Sequence, residues 1–194
     1  ALGLASCVNL HNSTRLQGVV AVGGPLPHAQ VVVRDAKGTT VVANADARGH
    51  YSVDVSMLTA PLVLWASEAG NPNCRSNRLP RAICVTALLA SLRLGDNTAN
   101  LNPLTDLITS DVATALHVIG PQQLAEGDAA PIVAPSVYST ALGQLRAGFG
   151  AALTLAGVGN VDSFDPVRTA MHADGRGVDA VLSVIHHTRG YDNN

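Results

Sequence analysis

The residues able to do chemistry in this 194-residue chain are few: seven histidines, three cysteines and 14 acidic side chains. The spacings that would put them to catalytic use are missing. No H-E-x-x-H sets two imidazoles one helical turn apart, and no G-x-S-x-G lifts a serine onto a strand-to-helix turn. There is no P-loop, and "GVGNVD" from Gly157 lacks the third glycine of a dinucleotide fingerprint. The H-x-x-E zinc pair of metallocarboxypeptidases is absent as well. His186 and His187 are adjacent on a predicted helix and diverge by about 100°, so they are poorly placed to share an ion. His172 and Asp174 are closer in register. "ADGRGVD", Ala173 to Asp179, lacks the D-x-[DN]-x-[DN]-G order of a calcium loop and reads as a turn leading into a helix. The expectation is of no catalytic residues, no metal, no cofactor and no enzyme, with the histidines as surface polar groups.

The cysteines divide into one near the start and a pair. Cys7 closes "LASC", an apolar residue and two small ones ahead of a cysteine, which fits the bacterial lipobox. On that reading Cys7 carries a diacylglyceryl group and the preceding residues are the tail of a signal segment. A buried cysteine in a first strand is the other reading. Cys74 and Cys84 flank "RSNRLPRAI", a polar loop carrying Arg75, Arg78 and Arg81. A disulfide across it would constrain the unfolded chain by about 3 kcal/mol and would persist in an oxidising compartment. Two free buried thiols, or zinc held with two histidines, are the alternatives, although no C-x2-4-C spacing exists.

Composition narrows the partner classes. Hydrophobic residues make up 47% of the chain, enough for a core, whereas charged residues are 13% and the formal net charge is -2. The 12 basic residues form no stripe suited to nucleic acid. The longest apolar run, "ICVTALLASL", is about half the length a membrane-spanning helix requires.

The elements that would position any site change type near Gly95. Between Arg15 and Ser67, β-type runs such as "QVVVRD", "HYSVDV" and "PLVLWAS" are punctuated by Gly, Pro and Asp, which predicts antiparallel strands. Tyr51, Val53 and Val55 alternate with Ser52 and Asp54, as in a sandwich with one buried face per sheet. Trp65, within "LVLWAS", reads as a core or interface aromatic rather than part of a sugar site with Tyr51, Tyr138 and Tyr191. Beyond Gly95 the period is helical. Asn102 and Pro103 form an N-cap and first-turn pair ahead of a stripe of Leu104, Leu107, Ile108, Val112, Ala115 and Leu116, which Gly120-Pro121 ends. Further helices are predicted from about Ser136 to Ala156, at "FDPVRTAMHA", and at "GVDAVLSVIHH" with Val178, Val181, Leu182 and Ile185 on one face. The fold class is therefore α+β in two parts: residues 14–94 an antiparallel β-sandwich and residues 95–194 a small helical domain, with residues 1–13 a signal remnant and linker.

The β part resembles the carboxypeptidase regulatory-like, transthyretin-type β-sandwich family. The likeness rests on Gly18, Val20, Gly24, Ala29, Val31, Val33, Asp35, Gly38, Asp46, Gly49, Tyr51, Val53 and Val55, and it spans about a quarter of the chain. The helical part, with "LNPLTDLI" and "FDPVRTAMHADGRGVDAVLSVI", resembles regions that follow such a sandwich in uncharacterised proteobacterial envelope lipoproteins. The resemblance implies a noncatalytic module in the cell envelope, and Val8 after the cysteine implies the outer membrane. Its partners would be other envelope proteins or further copies of itself, with lipid on Cys7 as membrane anchor and with the "GGPLPHA" and Arg75, Arg78, Arg81 loops as contact surfaces. A fibre subunit adding its N-terminal arm to a neighbour's sheet, a carbohydrate-binding protein and an unfamiliar enzyme are the alternatives.

Overall fold

A computed structural model of the protein describes residues 13–68 and 84–189. Cys7, Cys74, Arg75, Arg78 and Arg81 lie outside the described residues. Seven strands are described: β1 (Thr14–Val19), β2 (Gln30–Asp35), β3 (Thr40–Asn44), β4 (His50–Asp54), β5 (Leu62–Ser67), β6 (Cys84–Leu89) and β7 (Gly95–Thr98). They form a three-stranded sheet in the order β4-β1-β7 and a four-stranded sheet in the order β3-β2-β5-β6.

The alternation predicted for a half-buried strand is present in β1 and β4. Leu16 and Tyr51 point inward, while Arg15, Gln17, His50, Ser52 and Asp54 are exposed. One buried face per sheet does not hold for the other layer: every residue of β5 and of β6 is buried. Leu62, Leu64, Ala66, Val85, Ala87 and Leu89 fill the sandwich with Leu16, Val31 and Val33, whereas Val63, Trp65, Cys84 and Leu88 belong to a second core on the opposite face. A strand buried on both faces must be apolar throughout, and the unbroken run "LVLWAS" reflects that.

Four α-helices build this second core: α1 (Pro103–Ala115), α2 (Pro121–Glu126), α3 (Pro135–Leu155) and α4 (Val178–Arg189). The cap read from the sequence forms as expected. Asn102 accepts the N–H groups of Leu104 at 2.9 Å and Thr105 at 3.0 Å, while the Thr105 hydroxyl accepts the Asn102 N–H at 2.9 Å. Leu104, Ile108, Val112 and Ala113 are buried, whereas Ala115 is exposed. Three layers result, with the helices stacked on one sheet of the sandwich.

Three sequence expectations require correction. Strand β7 lies beyond residue 94 yet belongs to the sheet, so the β layer runs into the segment assigned to the helical domain. Its pairing with β1 is parallel, unlike every other strand pair described. "FDPVRTAMHA" makes a single turn instead of a helix. Asp165 does cap it, accepting the Val167 N–H at 2.9 Å. The carbonyls a helix would need are taken by Asn100, whose side-chain amide donates to Pro166 at 3.1 Å and Thr169 at 2.7 Å and whose backbone N–H donates to Val167 at 2.8 Å. Gly120-Pro121, expected only to end α1, also begins α2.

Candidate functional site

Among the described residues the helices cover β5 and β6 of the four-stranded sheet, while the outer face of β4-β1-β7 stays exposed along Arg15, Gln17, Ser52 and Asp54. Register places its side chains in rows. Asp54 and Asp96 flank Arg15 on either side, and Ser52 and Thr98 flank Gln17. Arg15 helps to hold the Asp54 carboxyl below its ordinary value, behind the larger effect of hydrogen bonds from the Ser56 hydroxyl and N–H. An open groove of about 560 Å³ runs along this face, lined by Gln17, Asn44, Asp46, Ser52, Thr98 and Met171 among others.

Beneath the groove the packing is close. The Tyr51 hydroxyl donates to the Ala99 carbonyl at 2.5 Å, and burial pushes its pKa well up. Gly18 lies against both: a Cβ there would sit 1.9 Å from the Ala99 oxygen and 3.1 Å from the tyrosine ring. Only glycine lets β1 pass at this point.

His50 and Asp46 both line the groove, but they do not form an acid–base pair. The Asp46 carboxylate accepts the N–H groups of Arg48 at 2.8 Å and His50 at 2.9 Å. Those amides hold its pKa down and tie the group to the turn. Asp35, at the sister D-x-x-G turn, is buried and accepts N–H groups from Lys37, Thr39 and Thr59. Burial raises its pKa, yet these donors outweigh that effect and the net displacement is downward. Both aspartates therefore build turns. The groove offers mixed polar and charged groups, Gln17, Asn44, Ser52 and Thr98 beside the Asp46 carboxylate, on a shallow surface, which suits contact with an extended polar partner rather than enclosure of a reacting group.

Trp65 is buried between sheet and helices, with the Arg34 guanidinium 4.8 Å above its ring. Arg34 also donates to the carbonyls of Ala125 and Gly127 at the end of α2. Tyr138 bonds Asp165 at 3.3 Å. These aromatics serve packing, as the sequence position of Trp65 suggests; Tyr191 lies outside the described residues. His28, His50, His117 and His172 are exposed. Among the described residues, no three His, Cys, Asp or Glu side chains gather as a metal site would require. Cys84 is disulfide-bonded, and the partner sulfur lies outside the described residues.

The "GGPLPHA" loop is less free than its sequence suggests. Leu26 and Ala29 are buried, and Gly23 abuts α4, leaving Pro25, Pro27 and His28 exposed. The contact missed by the sequence reading is the polar junction of α1 with β6, where the Thr105 hydroxyl donates to the Thr86 carbonyl at 2.7 Å. No described helix is long and apolar enough to cross a membrane. No protein-family model matches the chain, and no curated protein matches it.

Proposed function

We propose that the protein is a noncatalytic cell-envelope lipoprotein that binds or scaffolds other envelope proteins, tethered to the outer membrane by lipid on Cys7. The observation that carries the reading is the division of surfaces. Among the described residues the helices bury their apolar stripes chiefly against the four-stranded sheet, reaching the other only at Val19, while the rest of that sheet presents rows of polar side chains along an open groove. The disulfide at Cys84 supports an oxidising, exported setting. The sandwich is assigned to the transthyretin-like type on its two D-x-x-G turns, with the partner contact extended through Arg75, Arg78 and Arg81.

Intact mass of the protein from its native host tests the reading. A chain beginning at Cys7 and carrying diacylglycerol is the expected result, and a free Cys7 thiol behind an intact Ala1 would overturn it. A fibre subunit is the second reading, favoured by β3, an uncharged edge strand with Val42 54% exposed.

A further inference from the structure

Asp179 stands in the first turn of α4 with none of its surface exposed. Its Oδ2 accepts the Gly175 N–H at 2.7 Å, whereas Oδ1 is buried and makes no hydrogen bond. Facing it is the Gly23–Gly24 turn, whose amides favour a charge on the carboxylate without reaching it in normal hydrogen-bond geometry. The next turn of α4 is fastened to the same place, with the Ser183 hydroxyl donating to the Gly23 carbonyl at 3.1 Å. The contact has no slack: a Cβ on Gly23, which holds φ 94°, would lie 2.5 Å from the Ser183 Cα.

Among the described residues the charged neighbours are few, and of the two acids on α1, which also packs against α4, Asp106 is engaged by Thr86 and Asp111 is exposed. The Gly23–Gly24 turn brings none. The end of α3, which meets Gly177 through the Ala156 carbonyl, brings none either. The turn ahead of α4 brings Arg176 and Asp174, and the Asp174 carboxylate, which accepts the Arg176 N–H, repels a charge on Asp179. Within the first two turns of α4 the other residues are Val178, Ala180, Val181, Leu182, Ser183 and Val184, none titratable.

We propose that α4 is a proton-controlled latch, seated fully against the Gly23–Gly24 turn when the Asp179 carboxyl is neutral and loosened when it ionises. Burial and, more weakly, Asp174 raise the Asp179 pKa; the Gly175 amide and, behind it, the Gly23 and Gly24 amides oppose them only in part, and the net displacement is upward. With a folded pKa above the unfolded one, the contribution of Asp179 to docking is fully present below the unfolded value and is lost as pH rises through the folded value. Loosening would uncover Leu182 and Ile185 and open the apolar groove of about 400 Å³ that α4 shares with Phe149 and Ala152 of α3. An aspartate acting only as a favourable charge at a helix N-terminus would do the opposite and tighten α4 as pH rises.

Hydrogen exchange on the full chain between about pH 4 and about pH 8, corrected for intrinsic rates, separates the two. Protection of α4 should fall with rising pH, by up to about tenfold per unit of pKa difference, while α1 stays constant. Asp179→Asn should remove the dependence, and Asp174→Asn, at an exposed position, should move its midpoint to lower pH. Protection of α4 that is flat or rises with pH in the wild type would overturn the latch. So would a wild-type profile retained in Asp179→Asn, or an unmoved midpoint in Asp174→Asn.

Discussion

Asp106 carries its carboxylate from α1 to the edge of the four-stranded sheet, where Oδ1 accepts the Thr86 peptide N–H at 3.1 Å and the Thr86 hydroxyl at 2.6 Å. Strand β6 is the sheet edge, so the peptide groups of Thr86 that face away from β5 would otherwise be buried unpaired. Side chains of the helix complete the edge. Asp106→Ala should therefore cost about 3 kcal/mol, because it removes two buried hydrogen bonds and strands the Thr86 N–H. Urea unfolding at neutral pH measures the loss.

Two glycine-to-alanine changes should have opposite signs. Gly18→Ala drives a methyl group into the Ala99 carbonyl and should cost about 3 kcal/mol or block folding. Gly143 lies in the middle of α3, where an added methyl group would meet nothing within 4 Å, so Gly143→Ala should raise stability by about 1 kcal/mol. Thermal melting of the two variants beside the wild type checks both.

Acid should find Asp35. Its folded pKa lies below the ordinary carboxylate value, so its contribution is present above the unfolded pKa and is lost as pH falls through the folded one. Asp35→Asn should be less stable at pH 7 and should lose less stability below about pH 4 than the wild type does. A denaturation series against pH reads the two slopes.

Reduction should destabilise the protein by about 3 kcal/mol through loss of the Cys84 bridge. Peptide mapping without reductant should place its partner at Cys74. A Cys7–Cys84 peptide would refute both that pairing and the lipid assignment.

The legible parts of the fold are those where one chain property decides the outcome. Tyr51 alternates with polar neighbours because one face of β4 is wet, and Asn102-Pro103 caps α1 because the groups involved are local. Strand β7 is hidden because "GDNT" has no apolar pattern; its place depends on peptide groups pairing with β1. The turn at Asp165 reads as a helix because Asn100, which competes for its carbonyls, stands 65 positions earlier in the chain. Asp106 and Asp179 are hidden for the same reason. A carboxylate in a helix reads as solvated until the surface packed over it is known.

The parallel pairing of β1 with β7 has a mechanical consequence. Strand β1 is central in its sheet, held by β4 on one side and β7 on the other. A pull on the chain ahead of Thr14 acts along the strand axis and loads both ladders in shear, so their bonds share the force instead of parting one at a time. Traction applied through α4 loads a helix held by Leu182 and Ile185 in the apolar core and by one hydroxyl bond to Gly23, with no strand ladder to share the force. The molecule should resist tension at its leading end and yield at its trailing end.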